Sequence, residues 1–526
     1  MIRINFALIL LLFPVATSGT AAPQDNIFGS TVRESDPLTA KDELQKLKVP
    51  HGFQVTLFAS EPQLQKPLNM AFDADGRLWV TGSNEYPFPA KDGEGKDSIR
   101  ILEDTNGDGA ADKVTVFADD LNIPIGIYPY RDGAIVFSIP DILFLRDTDG
   151  DGRADKREVL YGPFDTSRDT HGMNNSFRRG FDGWLYCCHG FNNQSTVAGK
   201  DGHKVTLVSG NTYRIRLDGS RIEQFTYGQV NPFGMAIDAN GDLFNSDCHT
   251  KPVTLLMRNG YYESFGKPDD GLGFVPAVMD HLHGSTAIDG LCQYQGTTFP
   301  DEYSDDIFVG NVMTCRVHRN SIVRTGSSVR MQEEADFLTS EDPWFRPVDI
   351  QIGPDGAMYI ADFYNRVIGH YEVPLDHPGR DRERGRIWKV QYSASNAADG
   401  EVTPRLSSAS LPELTKSLSD ARRPVRQHAA DQIVDRIGSE AAQPLTTELA
   451  NSLKDSLQPA TPQILWSLFK LGQLQSTDLR KCYLNGTERS RIHVLRICSE
   501  MPPGPDVTLL IRSGLLDPSA LVKRAA

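Results

Sequence analysis

A hairpin unit that recurs six times limits what this chain can fold into. Each copy is an apolar run, a turn built on Asp-Gly or a near equivalent, and a second apolar or aromatic run. The copies turn at Asp75-Gly76, Asp132-Gly133, Asp182-Gly183, Asn240-Gly241, Asp305-Asp306 and Asp355-Gly356, at steps of 57, 50, 58, 65 and 50 residues. Asn-Gly and Asp-Gly suit tight hairpins because those turns need positive φ. Each step leaves room for the hairpin and two further strands. Six such units predict a six-bladed β-propeller, where radial repetition leaves only short, protected sheet edges. A pair of β-sandwiches is the alternative use of so many short strands.

Composition changes after residue 400. Glycine falls from 40 residues in the first 400 to 5 in the last 126, and aromatics fall from 43 to 3. Net charge changes from −18 to +3 across the same boundary. The stretch from Val425 to Val434, and those around Ile464, Ile492 and Val522, place apolar residues at helical spacing. Their intervals and the Pro-x-Val-Arg-x-x-Ala-Ala wording resemble HEAT-type repeats; independent helices packed as a bundle are the alternative. The class expected is therefore mainly β, a six-bladed β-propeller followed by an α-helical HEAT-like tail. The propeller is expected over 46–391, a linker over 392–405 and the tail over 406–526. Because the chain stops inside a repeat helix, the tail reads as cut short.

Ahead of the repeats, ten apolar residues from Phe6 to Val15 follow Arg3 and precede small residues near Ser18 and Ala21. That is the pattern of a signal peptide over 1–21, and it is too short to span a bilayer, which takes roughly 20 residues. A membrane anchor or buried helix is the alternative. The expectation is an exported protein, periplasmic or extracellular, with an N-terminal extension over 22–45 and no transmembrane segment beyond the signal. The formal net charge of −15 argues against nucleic acid or an anionic membrane as a partner. Seven cysteines are too few and too odd for a disulfide framework. Cys187 and Cys188 should face opposite sides of a strand, either one pairing with Cys248 or all remaining buried thiols.

Two acidic loops carry the clearest metal chemistry. Asp147, Asp149, Asp151, Asp155 and Glu158 satisfy the D-x-D-x-D-G-x5-E calcium pattern, with Glu158 as the bidentate ligand. Asp104, Asn106, Asp108 and Asp112 form a weaker version, with Thr115 in place of the terminal acid. Flanking residues alternate like strands, so these are expected as Ca2+ loops at hairpin tips that rigidify the fold. A hydrated acidic turn is the alternative.

With the repeats in register, residues entering the innermost strands converge on the propeller axis. They are Asn69, Pro124, His171 with Asn174 and Asn175, Asn231, His283, and Arg346 with Asp349. The adjoining strand ends add Glu85, His189, Asp247 with His249, Asn311, and Asp362 with Asn365. Imidazoles, amides and an arginine gathered in one cleft would form a polar small-molecule site, with imidazole suited to base chemistry. Turn capping is the alternative role for any one of them.

The stretch from His171 through Phe177 to Asp182-Gly-Trp-Leu-Tyr186 resembles a motif of soluble, pyrroloquinoline-quinone-dependent sugar dehydrogenases. Gly228-Gln-Val-Asn231-Pro-Phe-Gly234 resembles another motif of that family. The resemblance implies that His171 is the general base taking the alcohol proton and that Asn231 contacts the quinone. Val230 stands where the family has a quinone-contacting arginine. A broader resemblance covers body and tail. Tyr186-Cys-Cys-His-Gly-Phe, Arg346-Pro-Val-Asp-Ile, and Asp362-Phe-Tyr-Asn-Arg through Arg380-Asp381 resemble the membrane-bound dehydrogenase family of planctomycetes. That family joins a propeller to HEAT repeats and often to a cytochrome c domain. This chain has no Cys-x-x-Cys-His sequence, so no covalent haem is expected in it.

Two readings follow. In the first, the protein oxidises a sugar or alcohol with hydride transfer to a quinone; His171 is the base, and Asn231, His189, His249, His283, Arg346, Asp362 and Asn365 bind substrate or cofactor. Its partners would be a small polar substrate and a cytochrome c electron acceptor or a protein held by the tail. In the second, a non-catalytic propeller binds carbohydrate or protein and the tail docks a partner. Val230 favours the second; His171 and the crowded axis favour the first.

Overall fold

The computed structural model describes residues 31–248, 251–264, 273–280, 283–284, 287–369, 373–374, 376–392, 403–454 and 459–526. Every predicted turn joins the first two strands of a blade. Blade 1 is Pro67–Phe72, Leu78–Gly82, Asp97–Glu103 and Lys113–Leu121; blade 2 is Ile125–Tyr130, Gly133–Ser138, Asp141–Arg146 and Lys156–Tyr161. Blade 3 is Asn175–Arg179, Leu185–Cys188, Thr212–Ile215 and Ile222–Gln224, with a separate hairpin, Gln194–Ala198 and Lys204–Val208, between its second and third strands. Blade 4 has three strands among the described residues, Pro232–Ile237, Leu243–Asp247 and Thr254–Leu256. The turn glycines Gly76, Gly183, Gly241 and Gly356 sit at φ 78–81°, a region a β-carbon disfavours.

The N-terminal segment closes the ring. Blade 6 takes Pro347–Ile352, Met358–Asp362 and Arg386–Tyr392 from one end of the body and its outer strand, Phe53–Ser60, from the other. Seven register pairs tie Phe53–Ser60 to the last strand. Blade 5 contains Ile288–Gln293, Ile307–Asn311, Arg316–Thr325 and Leu338–Ser340, and Leu47–Lys48 adds to its edge. The extension before residue 46 is also part of the body. Val32 bridges Val367, and the buried Glu43 pairs with the buried Arg386. Such closure removes the two open edges that a linear run of blades would leave.

All seven cysteines are free and buried, so the pairing with Cys248 is not formed. The expected alternation does hold: Cys187 packs in the core between blades 2 and 3, and Cys188 packs beneath the tail. Among the described residues no helix is long and apolar enough to cross a membrane.

Among the described residues eight α-helices follow the propeller. Val425, Ile464, Ile492 and Val522, read as helix interior, lie in Arg423–Gln432, Thr461–Lys470, Glu488–Glu500 and Ala520–Ala525, each at most 2% exposed. The alternating helices Leu411–Ser417, Ala442–Ser452, Ser476–Asn485 and Pro505–Leu515 bury one to three residues each, against four, eight and seven in Arg423–Gln432, Thr461–Lys470 and Glu488–Glu500. In Ala442–Ser452 the buried residues are Leu445, Leu449 and Ser452, one narrow stripe.

This tail does not stand apart from the body. Immediately after the linker region, Leu406 N–H donates to Ala74 O and Ser407 binds Asp75 at the blade 1 turn. Tyr128 of blade 2 bonds Asp431, and Arg179 of blade 3 pairs with Asp431 and Asp435 at 3.3 and 2.5 Å. His493 and Arg496 reach Ala239 and Asp242 of blade 4. Arg423 N–H and Arg422 donate to Gln295 of blade 5 and Pro354 of blade 6. Phe181, Trp184, Met235 and Leu243 share one apolar core with Leu414, Leu465, Leu468 and Leu495. Each fully buried side chain of that size contributes roughly 1.5–3 kcal/mol. The helices therefore cover the hairpin-turn face of all six blades, and the ligand-accessible axis opens on the other face.

Candidate functional site

At the end of the inner strands remote from those turns, every blade departs from regular pairing. The register between first and second strands shifts at Pro67/Met70, Ile125/Ile127, Asn175/Arg178, Pro232/Met235, Ile288/Leu291 and Pro347/Asp349. A bulge leaves backbone groups unpaired and re-aims a side chain. Here neighbouring blades take up the freed groups. Gly126 N–H donates to Asn69 Oδ1 at 2.7 Å, Gly234 N–H to Ser176 Oγ at 2.6 Å, and Met70 N–H to Asp349 Oδ2 at 2.7 Å. Asn175 donates to Pro232 O, and Tyr213 donates to Asn174. Asn69, Asn175 and Asp349 are thus clasps between blades, and Asn174 is held within blade 3 by Tyr213; none of the four lines the cavity on that face.

On that face lies a cavity of about 260 Å³. Blade 1 supplies Leu68 and Tyr86, the approach to blade 3 supplies His171, and blade 4 supplies Asn231, Phe233 and Cys248. Asp289 comes from blade 5; Arg346, Val348, Phe363 and Asn365 come from blade 6, followed by Arg380, Asp381 and Arg382 on a loop. Apolar and aromatic walls around a few polar groups are the usual form of a small-molecule site.

His171 is held from both sides. Its Nδ1 lies 2.6 Å from the carboxylate of Asp169, a side chain with no solvent exposure. A carboxylate can only accept, so Nδ1 carries the proton and the neutral ring keeps its lone pair on Nε2. Asn231 Nδ2 donates to that lone pair at 3.1 Å and also reaches Cys248 Sγ at 3.1 Å. Asp169 in turn accepts from the backbone N–H groups of His171 and Gly172. The sequence reading missed Asp169, although an acid two residues before the histidine was a usable signal. This arrangement aims the basic nitrogen of His171 at the cavity.

Arg346 is 3% exposed, and its Nη1 donates to Phe345 O and Cys315 Sγ. Among the described residues its Nε and Nη2 have no acceptor, and Asn231 Oδ1 has no donor. Buried N–H groups without acceptors are costly, and a ligand oxygen would satisfy them. Asp362 lies behind the site: it accepts from Arg346 N–H, Tyr364 N–H and Trp388 Nε1 and is fully buried. Asp247 does the same for Val230 and Asn231 N–H in blade 4. Asn365 lines the cavity and steers the loop, donating to Asp381 O at 3.0 Å. Asp381 is already taken by Lys66 at 2.9 Å and by Arg384.

Two of the expected histidines lie elsewhere. His189 is 1% exposed and is bonded by Ser209 O at 2.7 Å and Ser195 Oγ at 2.8 Å. Burial pushes it down to about 4, and it does not line the cavity. His283 stacks on His318 at 4.0 Å, with Glu333 at 3.0 Å from Nδ1, and also lies outside the cavity lining. His189 is thus satisfied at both ring nitrogens, whereas His283 is engaged at Nδ1. His249 lies outside the described residues.

The far end of the axis is closed. A cavity of about 200 Å³ there is lined by Arg178, Gln293, Gln351, Arg423 and His428, beneath helix Arg423–Gln432. A further cavity of about 280 Å³ lies in the seam between blades 3 and 4 and the tail. Its arginines are engaged: Arg214 by Glu223 and Glu500, Arg496 and Arg524 by Asp242.

Both acidic loops sit at hairpin tips, as their flanks predicted. Asp147, Asp149 and Asp151 bring one carboxylate oxygen each within 4.8 Å of the others. Asp147 already accepts from Gly150 and Gly152 N–H, which pre-shapes the loop. Glu158 is not with them: it lies in the following strand, paired in register with Phe144 and 3.4 Å from Lys200. A strand, unlike the helix of a helix–loop–helix site, carries the twelfth position away from the loop. Asp155 is held by Thr148, and in the other loop Asp112 by Thr105. There Asp104 accepts from Gly107 and Gly109, and Asp108 bonds Asn106.

Fold and site together define a six-bladed propeller protein with a polar axial cavity built around a carboxylate-held histidine. Residues 39–394 match the family described as Domain of unknown function (DUF7133), and the chain belongs to it. No curated protein matches it. Among solved structures it is similar to an oxidoreductase (glucose dehydrogenase) from Thermus thermophilus, at 17% identity and a TM-score of 0.44, over 64% of this chain and 99% of the other. It is similar to the soluble aldose sugar dehydrogenase of Escherichia coli at 17% identity and TM-score 0.40, over 65% and 99%. It is also similar to the PQQ-bound aldose sugar dehydrogenase of Streptomyces coelicolor at 16% and 0.42, over 65% and 100%.

Proposed function

We propose that this protein oxidises a hydroxyl group of a sugar or related polyol, with His171 as the base and a quinone of the pyrroloquinoline type as the acceptor. The observation that carries the reading is the Asp169–His171 pair in the axial cavity, with the basic Nε2 turned inward. Asp169 fixes the tautomer and would stabilise the imidazolium formed when His171 takes the hydroxyl proton. Asn231 would orient the hydroxyl by exchanging its bond to Nε2 for one to the substrate.

The donor set fits the quinone in charge and shape. Two nitrogens of buried Arg346 lack acceptors among the described residues, Arg380 and Arg382 line the same cavity, and Tyr86, Phe233 and Phe363 are flat walls. Arg346 and Asn231 would hold its carboxylate and carbonyl oxygens. When bound, the quinone supplies the electron sink for the hydride. Helix Arg423–Gln432 lies over the far end of the axis, so a ligand would enter from the His171 side. Val230 supports the second reading, a ligand-binding propeller without turnover. It is 2% exposed, and its N–H and C=O are engaged by Asp247 and Ser209.

The same proposal includes export, a lineage shared with the planctomycete dehydrogenases, HEAT-like pairing of the tail helices, and Ca2+ at the Asp147 loop. The decisive experiment is dye-linked oxidation of a sugar panel with added quinone and calcium. Turnover should fall by about 10²–10⁴-fold in His171→Ala and substantially in Asp169→Asn. Absence of turnover together with absence of quinone binding refutes the enzyme reading and leaves the binding module.

A further inference from the structure

Asp289 is the one cavity group whose chemistry the reading above does not use. It sits in the inner strand of blade 5, next to Gly290, at the register shift between Ile288 and Leu291. A β-carbon on Gly290 would stand 2.4 Å from Asp349 Cα, so that glycine lets blades 5 and 6 approach closely. The approach brings the Asp289 carboxyl toward a second carboxylate, Asp349, which already serves Met70, Ile350 and Gln351.

No described residue donates a hydrogen bond to the Asp289 side chain, and no described lysine, arginine or histidine forms an ion pair with it. The contrast with Asp381, in the same cavity and doubly paired with Lys66 and Arg384, is direct. Leu68, Phe233 and Val348 contribute apolar wall. The titratable groups facing Asp289 from adjoining elements favour its neutral form. These are Asp349 of blade 6 and the phenol and thiol of Tyr86 and Cys248, whose own ionisation Asp289 opposes. His171, Arg346, Arg380 and Arg382 line the cavity, but none lies within ion-pair distance of it. An unpaired carboxyl in such surroundings keeps its proton. Burial, then Asp349, push it up to about 8.

We propose that Asp289 is an un-ionised carboxylic acid that donates its O–H to a proton-free ligand oxygen, a carbonyl, ring ether or quinone oxygen, within the cavity where His171 accepts. This rests on the cavity being the ligand site of the proposed function. It gives the site a donor and an acceptor of opposite protonation, so a ligand with one hydroxyl and one such oxygen is recognised in a single orientation. The sequence offered no signal for this residue: an aspartate before glycine in a strand reads as a turn.

The test uses the full chain carrying aspartate labelled with carbon-13 at the side-chain carboxyl. One resonance should move between pH 6.5 and 9.5, and it should be missing from Asp289→Asn and from a second variant, Asp289→Ser. If no aspartate titrates in that range, or the moving resonance survives in both variants, the proposal is overturned. Pyrroloquinoline quinone titration gives the ligand arm. Wild-type affinity should fall roughly thirtyfold over that pH range if binding needs the proton, whereas Asp289→Asn, which still donates and cannot ionise, should stay flat. An unchanged wild-type affinity overturns the donor role. Absence of quinone binding at both pH values instead refutes the dehydrogenase reading, and the carbon resonance then decides Asp289 alone.

Discussion

The seam between tail and propeller should give the protein an acid limit, and His493 is where to measure it. Its ring is completely buried in helix Glu488–Glu500. Trp466 Nε1 donates to Nδ1 at 2.9 Å, and Nε2 donates to Ala239 O in the blade 4 turn at 2.9 Å. Those partners accept only the neutral ring with its proton on Nε2; a second proton would face the indole N–H. Burial accordingly holds the group down to about 3, with Arg496, Arg489 and Arg423 adding to it against the bond to Ala239. The ordinary value in an unfolded chain is about 6.5. Above that value neither state is protonated, and the group contributes no pH dependence. Below it the unfolded chain takes a proton that the folded one refuses, so stability is lost as pH falls from 6.5 toward 3. Between pH 6.5 and 4.5 the loss is about 2 kcal/mol from this group.

The assay is a set of urea midpoints followed by tryptophan fluorescence from pH 7.5 to 4.5, for wild type and His493→Leu. At pH 7.5 the variant should be less stable by about 3 kcal/mol, because Trp466 N–H and Ala239 C=O are left unpaired. That gap should narrow by about 2 kcal/mol at pH 4.5. His189, also held near 4 by burial, steepens both curves equally and cancels from the comparison. Parallel curves over the whole range would refute the argument, since they would mean the folded ring ionises as readily as the unfolded one.

Arg179→Leu should cost about 3 kcal/mol, because it leaves the part-buried Asp435 without its arginine and takes one of several partners from the buried Asp431; Arg179→Leu with Asp435→Leu should recover part of it in the same denaturation series. For the Asp147 loop, millimolar calcium should raise the melting temperature, as any ligand of the folded state does. The Asp149→Asn/Asp151→Asn pair should abolish that rise while Glu158→Gln leaves it intact, reversing the order expected of a helix–loop–helix site. A calcium-independent melting temperature in wild type would remove the loop as a metal site.

Much of the fold was written locally. The hairpin turns are legible because Asp-Gly and Asn-Gly meet a backbone demand set within a few residues, positive φ at the glycine in four of the six turns. His171 and Arg346 were legible for a related reason: the repeat fixes which position of each unit faces the axis, and both residues occupy it. The same logic overreached at His189, Asp362 and Asn69. Position along the strand did not tell a cavity side chain from one bonded to its own blade, and only the partner atoms decide that.

What the sequence by itself determined is the count of blades, the break between body and tail, and the helical stripes around Val425, Ile464, Ile492 and Val522. All of these follow from periodicity and turn chemistry over short spans. Tertiary structure alone decided three further matters: that Phe53–Ser60 closes blade 6 from the other end of the body, that the tail seals the turn face, and that Asp289 lines the axial cavity with His171 and Arg346. Each depends on groups from distant parts of the chain meeting in space. Burial and pairing are properties of that meeting, and no residue carries them in its own letter.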